Sequence, residues 1–377
     1  MTLITNVALP FYSSVQFYGA QLPLLGPNTL QITQQEFAHD VAVATFWADD
    51  VGADSYASGM PVKIAWGRPS VQRAFYGYVN HPQRMNNALL GTDLMGRNST
   101  TIVCMGASWP MKQSGTYTYQ GMTASQVVAK ICSAFGFALD IVYDETVWPV
   151  LHMAGMSFWS FCVMLAKRIG YTFYVSGMTA VFKPRQTDPT QINGLVAYYD
   201  FRQDPGGLPI FTPTLGATNP SGGELANRTL YGIDPRTTQV VMATELGNPA
   251  PVTLGQFPDT PVFNRVEHDT VRTQAEATTK LRGTALENQL YITASAYAAG
   301  DPLVAQGSLV FVTNANGSQN GLWFVTKCVQ TVTTTSYSMD MELGRDSLGS
   351  TTSIRGIPQT TISPSVVLTN GGWKLAA

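Results

Sequence analysis

Ser157-Phe158-Trp159-Ser160-Phe161-Cys162-Val163-Met164-Leu165-Ala166-Lys167-Arg168-Ile169-Gly170, running on into Tyr171-Thr172-Phe173-Tyr174-Val175, reads as a capped helix with a stop that feeds a strand. Ser157 can cap the first turn, because its hydroxyl accepts from an otherwise unpaired backbone N–H. Phe158, Phe161, Cys162, Leu165 and Ile169 recur at helical spacing and make one apolar face. Gly170 adopts the left-handed conformation that ends a helix without steric cost.

The same order appears once before it. Thr123-Ala124-Ser125-Gln126 is a capping-box pattern, in which a Thr and a Gln three residues later satisfy each other's end groups. Val127, Val128, Ile131, Cys132 and Phe135 then share a helical face, Gly136 stops it, and Phe137 to Val142 follows as a strand. Gly136 and Gly170 lie 34 residues apart. Two copies are too few for a solenoid and fit a small α/β unit, with Ser176-Gly177 turning the second strand back into Met178 to Phe182.

On either side the chain is strand-rich. Val62, Ile64 and Trp66 alternate with Lys63 and Ala65, and Gly67-Arg68-Pro69-Ser70 supplies a turn. Phe75, Gly77 and Val79 then alternate with Tyr76 and Tyr78, which completes a hairpin signal. Thr100 to Met105 gives another strand, and the longest helical candidate in this part is the short Gln34–His39 region. Strands at such short spacing suggest a barrel or sandwich. Beyond residue 186, Thr229 to Ile233, Thr238 to Ala243, Leu290 to Ala296, Leu309 to Thr313, Leu322 to Val332 and Ser336 to Leu343 read as strands, with Asn314 to Gly321 a polar loop. Thr270 to Gln289 is the one long helix candidate, with Val271, Ala275, Thr278, Leu281, Ala285 and Leu286 on a face. Between Asp204 and Gly223, nine of twenty residues are Gly or Pro, so no regular structure is expected there.

Charged residues are 12% of the 377, about half the roughly 25% of an average soluble protein. Net charge is −2, and residues 198–348 carry nine basic against fourteen acidic side chains. A chain that gripped nucleic acid would cluster cations against phosphates, and this one does not. A surface so poor in charge suits burial against neighbours in an assembly. No apolar run reaches the ~18 residues of a membrane span, and Met1-Thr2-Leu3-Ile4 lacks the cationic start of a signal peptide. Cys104, Cys132, Cys162 and Cys328 are widely spaced, form no CxxC, and read as buried thiols.

A search for chemistry yields no catalytic, cofactor-binding or metal site. Asp49, Asp50 and Asp54 lack the closing Glu of a calcium loop. His39, His81, His152 and His268 are isolated, with no zinc spacing. There is no G-x-S-x-G and no phosphate-binding glycine loop with a following Lys. A carboxylate pair for glycoside cleavage stays open, since its partners need only meet in space. Trp47, Trp66, Trp109, Trp159 and Trp323 read as core rather than as sugar platforms.

In composition and order the Ser157–Val175 segment resembles the "S-x-W-x-F-L-x-x-L-A-x-x-x-G-Y-x-F" segment of phage tail hub proteins. That family includes late control protein D, baseplate hubs and the hub region of type VI secretion spike proteins. The second half is similar too: Gly300-Asp301-Pro302-Leu303, Gln306-Gly307-Ser308-Leu309-Val310, Gly321-Leu322-Trp323-Phe324-Val325 and Leu343-Gly344-Arg345 follow in the family's order. The chain departs from the family in lacking an acidic residue beside Trp159, in its 204–223 insertion, and in having no appended lysozyme or spike domain. The likeness is strongest over 116–185 and 265–348. It implies a mainly β protein with an α/β insert, in which two tail-tube-like β-barrel domains flank a small α/β domain. The expected units are 1–115, 116–195 and 196–348, with 349–377 an extended C-terminal arm.

The function so implied is structural, with no enzyme activity and no cofactor. Three chains would form a ring adapting a six-fold tail tube to three-fold tip components in the virion, assembled in the host cytoplasm. A tail tube or distal tail protein would sit above it and a central fibre or spike below. DNA would pass the lumen without specific binding. The alternatives are a tail-associated peptidoglycan hydrolase and a receptor- or carbohydrate-binding module. The arm, Ser/Thr-rich with Pro358 and Pro364 yet holding Ile354, Ile357, Ile362, Val366, Val367, Leu368 and Trp373, is expected to dock on another subunit or tip protein.

Overall fold

The computed structural model describes residues 11–18, 24–47, 56–68, 71–85, 99–185, 197–200, 210–212, 227–234, 237–245, 264–268, 271–287, 290, 292–313, 321–345, 366–369 and 372–375. The chain is mainly β, with a large sheet curled into a half-barrel. Seven strands come first: β1 (Tyr12–Phe17), β2 (Leu24–Leu25), β3 (Thr29–Gln35), β4 (Val41–Trp47), β5 (Pro61–Arg68), β6 (Val71–Met85) and β7 (Ser99–Gly106). The hairpin read from alternation is present: β5 and β6 pair from Arg68↔Val71 to Pro61↔Tyr78. Its inward positions Val62, Ile64, Trp66, Phe75 and Val79 are buried. Gln34–His39 is not helical, because Gln34 and Gln35 complete β3 and a turn follows. The inward parity of Leu30, Ile32, Gln34 and Glu36 is that of a strand, and all four are buried.

The middle part holds β8 (Ser114–Thr123), α1 (Ala124–Ala134), β9 (Ala138–Ile141), β10 (Val147–Ser157), α2 (Phe158–Ile169), β11 (Tyr171–Ser176) and β12 (Thr179–Pro184). Both caps form as read: Thr123 and Gln126 complete a capping box, Ser157 accepts from the Ser160 N–H, and Gly170 ends α2 with φ +74°. The long β8–β10 ribbon carried no alternation clear enough to mark it in the sequence. It closes over the helices, so that Trp148, Leu151 and Met153 join Val127, Ile131, Phe161, Leu165 and Phe173 in one core. β9 pairs parallel with β12, and β12 antiparallel with β11.

The last part contains β13 (Ala197–Asp200), β14 (Ile210–Thr212), β15 (Asn227–Ile233), β16 (Val240–Glu245), β17 (Asn264–His268), α3 (Gln274–Glu287), β18 (Ile292–Ala299), β19 (Leu309–Thr313), β20 (Gly321–Thr333) and β21 (Tyr337–Arg345), then β22 (Val366–Thr369) and β23 (Gly372–Leu375). The Gly/Pro-rich stretch is not without regular structure, since β14 lies inside it and pairs Ile210–Thr212 with Ser295–Tyr297 of β18. Three residues free of Gly and Pro suffice to extend an existing edge. The face expected for α3 is also corrected: Ala275 and Thr278 are exposed, whereas Val271, Glu276, Ala277 and Leu281 are buried. An Ala/Thr-rich helix has a weak apolar stripe, so packing chooses the face. Gly283 sets it, crossing α2 so closely that a Cβ there would lie 2.2 Å from the Arg168 carbonyl oxygen.

The large sheet runs β14-β18-β21-β20-β3-β4-β7-β6-β5-β1-β2, with β19 also on β20 and β13 on β19. The two ends of the chain therefore share one ladder. Its seam is β20 against β3, antiparallel from Lys327↔Gln35 to Thr333↔Thr29. The core crosses the seam as well, with Val332 and Tyr337 packed among Leu30, Ile32, Ile64 and Trp66.

Candidate functional site

Two features stand out: an open face of the sheet on both sides of the seam, and a set of buried polar contacts behind it. Register defines the face. Thr29, Gln31 and Thr33 of β3 stand opposite Thr45, Val43 and Val41 of β4, which in turn oppose Thr101, Val103 and Met105 of β7. Across the seam, Thr333, Thr331, Val329 and Lys327 of β20 follow, then Ser338, Asp340 and Glu342 of β21, then Ala299, Tyr297 and Ser295 of β18. None of these side chains is buried. Six strands at about 4.8 Å make a surface about 24 Å across. Its charges are Lys327, Asp340 and Glu342, and Lys327 Nζ is paired with Glu342 Oε1 at 2.7 Å. The remainder is hydroxyl, amide and small apolar surface.

Behind the face, polar side chains lock distant segments together. Asp40 is buried and accepts from Gln34 Nε2 at 3.1 Å and Gln306 Nε2 at 3.2 Å, joining the β3–β4 turn to the turn before β19. Burial pushes its carboxyl up to about 7, against the pull of the two amides and of Arg73. The amide oxygens of both glutamines are enclosed without a hydrogen-bond partner. Arg73 donates to the Pro302 carbonyl and to Ser176 Oγ, and Arg68 to the Gly300 carbonyl. Gln330 accepts from Trp66 Nε1 and the Tyr337 hydroxyl while donating to the Asp301 and Val304 carbonyls. Glu36 takes the Thr172 hydroxyl and the Arg185 guanidinium, the latter with Nη2 at 3.2 Å and Nε at 3.3 Å.

Trp159, the aromatic in the opening stretch, belongs to this system. Its Nε1–H reaches the carbonyl of Phe37 at 3.3 Å, and its ring lies tilted against His39 at 4.1 Å and Phe173 at 4.8 Å between centroids. Phe37 is held at φ 59°, a left-handed conformation that a bulky side chain adopts only when its surroundings enforce it. The Phe173 carbonyl accepting from the Phe37 N–H, with Lys167 and Arg185 over the Phe37 ring, supplies that enforcement.

Of the other residues singled out in the sequence, His39 is half-buried, bonded to Ser108 Oγ, and lowered to about 4 by burial and by Lys112. His81 is exposed, and His152 is exposed and bonded to Thr118. The structure does not bring these imidazoles together, and among the described residues no group of His, Cys, Asp or Glu could hold a metal ion. Trp66 and Trp323 are core residues, and Trp109 is half-buried near Tyr78. The side chains of Trp47 and His268, and the whole of Asp49, Asp50 and Asp54, lie outside the described residues. All four cysteines are buried free thiols, as read. Burial pushes Cys104 and Cys328 up to about 12, which keeps them protonated and poor nucleophiles.

The fold has counterparts among solved structures. A tail protein from Neisseria meningitidis MC58 superposes with a TM-score of 0.64 at 11% identity, over 90% of this chain and 98% of that one. The 43 kDa tail protein of prophage MuSo2 from Shewanella oneidensis gives 0.61 at 10% identity, over 89% and 99%. This chain has the fold of phage tail proteins. The E. coli c3393 protein, a type VI secretion component described as similar to the T4 tail proteins gp27 and gp5, gives 0.56 at 11% identity, over 94% and 81%. No family model and no curated protein matches the sequence. At these identities the likeness is one of fold, and the tail-hub resemblance read from Ser157–Val175 and Gly300–Arg345 is upheld at that level.

Proposed function

We propose that the chain is the structural hub of a phage tail tip or baseplate, built into the virion after assembly in the host cytoplasm. The observation that carries this reading is the seam. Strands from the two ends of the chain form one curled sheet with open edges and a nearly uncharged face. Each end supplies one tube-like barrel, and the 116–195 unit lies between them in sequence. Three copies then present six similar faces, so that one ring matches a six-fold tail tube on one side and a three-fold fibre or spike on the other. The hydroxyl- and amide-rich face lines the channel. It offers phosphates no cationic track, so DNA slides past without specific binding.

The mechanism is geometric and needs no reacting group. Glu36 and Asp40, the buried carboxylates behind the face, are each occupied by side chains of the chain itself. Light scattering on the purified protein should return three copies, and a reconstruction of the tail tip should place them around the axis. A stable monomer that never joins tails, or a ring of another order, overturns the reading. A zymogram on purified peptidoglycan should show no clearing. A cleared band would move the assignment to a tail hydrolase.

A further inference from the structure

Cys132 on α1 and Cys162 on α2 are completely buried, in the one core that the β8–β10 ribbon closes. An edge-on contact of Phe135 with Phe158, ring centroids 5.4 Å apart, brings the end of α1 against the start of α2. Cys132 lies one helical turn before Phe135, and Cys162 one turn after Phe158. The two side chains meet there, with the Cys162 S–H donating to the Cys132 sulfur. A buried thiol is ordinarily an inert packing group, but here it faces a second thiol.

The remaining two cysteines are placed differently. Cys104 and Cys328 belong to separate cores, on β7 and β20, and β4 and β3 stand between those strands. Three strand spacings of about 4.8 Å separate them along the sheet, beyond the ~7 Å between Cα atoms that a disulfide spans. The fold therefore gives one pair that can join and one that cannot.

We propose that Cys132 and Cys162 are an oxidation site that closes into an intrachain disulfide, stapling α1 to α2, once the chain has left the reducing cytosol. The timing rests on the hub reading, which carries the chain out of the host in a virion; the chemistry of the pair does not. Both S–H bonds break and one S–S bond forms, while two protons and two electrons pass to dissolved dioxygen, which becomes hydrogen peroxide. Rotation of the two side chains brings the sulfurs to the ~2.05 Å of the bond. The loop so closed holds β9 and β10, and it restrains the helices and their ribbon from separating. Burial first, and the Cys132 thiol next, hold Cys162 above the usual thiol range, so thiolate is scarce and closure slow. Folding and assembly are thus complete while both thiols are still reduced, and the staple is added afterwards.

The test starts from full-length protein purified in reductant, moved into native buffer with diamide, an azo compound that accepts the same two hydrogens. Samples are then unfolded in urea with N-ethylmaleimide, and the labels are counted by intact mass. All four thiols should label before oxidation and only two after it, with a peptide pair joining residues 132 and 162. Cys132→Ser should keep its three thiols free under diamide, whereas Cys104→Ala should lose two of its three. The wild-type count decides the matter even where a variant fails to fold. Four labels after prolonged oxidation overturn the proposal. So does a link through Cys104 or Cys328, or one that forms only once urea has unfolded the chain. Tails isolated without reductant should show two labels per chain. A chain that links but is absent from tails leaves the pair standing and sinks the hub, and one found in tails with four free thiols does the reverse.

Discussion

Asp40→Asn should change how stability depends on pH, and neighbouring His39 makes the effect readable. An ordinary aspartate titrates near 3.8, and burial raises Asp40 to about 7. Between those values the folded chain holds the proton and the unfolded chain has released it. Stability contributed by this group is therefore full below about 3.8, falls as pH rises, and is lost above about 7. The slope is about 1.4 kcal/mol per pH unit, so about 4 kcal/mol across the window. His39 works the other way. Its imidazole is lowered from 6.5 to about 4, so over that range the unfolded chain holds the proton and stability rises with pH. That rise is the shallower of the two, because the ring keeps some contact with solvent.

The wild-type chain should thus show only a shallow net fall in stability from this pair between pH 4 and 6.5. Asp40→Asn should expose an upward trend over that range and gain its largest advantage above pH 7. An Asn Nδ2–H also suits the site, because the partnerless amide oxygens of Gln34 and Gln306 lie on the two residues that contact Asp40. The other charged and titratable groups around it, Arg73, Glu36 and Tyr174, are unchanged by the substitution. The measurement is urea unfolding of both proteins at half-unit steps from pH 4 to 8.5. Curves that run parallel across the whole range would show that Asp40 is already charged in the folded chain, and the reasoning fails.

Three further outcomes follow from the contacts described. Trp159→Phe keeps an aromatic ring but strands the Phe37 carbonyl, which should cost about 1–2 kcal/mol in urea unfolding. Gly283→Ala forces α2 and α3 apart at the Arg168 carbonyl and should cost about 1–3 kcal/mol. Hydrogen exchange should then speed up in α3 and β15–β16 while the β3–β20 seam keeps its protection. Thr33→Lys with Thr331→Lys places two cations on the open face and should leave folding within about 0.5 kcal/mol. In assembled tails the same pair should slow DNA ejection at low salt, with the rate restored as salt rises. An unchanged rate at low salt would remove that face from the channel.

What could be read in the sequence was local. The Thr123–Gln126 capping box, the Ser157 cap, the Gly136 and Gly170 stops and the β5–β6 alternation each depend on residues within a few positions of one another, and all are present. The seam was not legible, because β3 and β20 lie about 300 residues apart and no local pattern names a strand's partner. A usable signal was present nonetheless. Gln34 and Gln330 occupy inward positions of alternating strands, between Ile32 and Glu36 and between Cys328 and Val332. A polar residue at inward parity needs a buried partner, and here those partners come from elsewhere in the chain. Trp159 was read as core, and its indole N–H, which had to find an acceptor, was the clue to Phe37.

The placement of charge connects this architecture to the proposed role. The chain has few ionisable groups, and Arg68, Arg73, Glu36, Arg185 and Asp40 stand where segments distant in sequence meet. Buried pairs and amide–carboxylate contacts are poor sources of net stability, since desolvation cancels most of the attraction, but a wrong partner leaves a charge unpaired at a cost of several kcal/mol. They favour one arrangement over its competitors. A chain whose early and late strands share one sheet faces that problem acutely, because either set could pair with its counterpart in another copy. The Glu36–Arg185 and Asp40–Gln306 contacts, together with the Arg68 and Arg73 bonds to the 300–302 carbonyls, tie the first seven strands to the chain's own middle and last parts. Charge is thus spent on internal register, and the face proposed to line the channel is left nearly free of it.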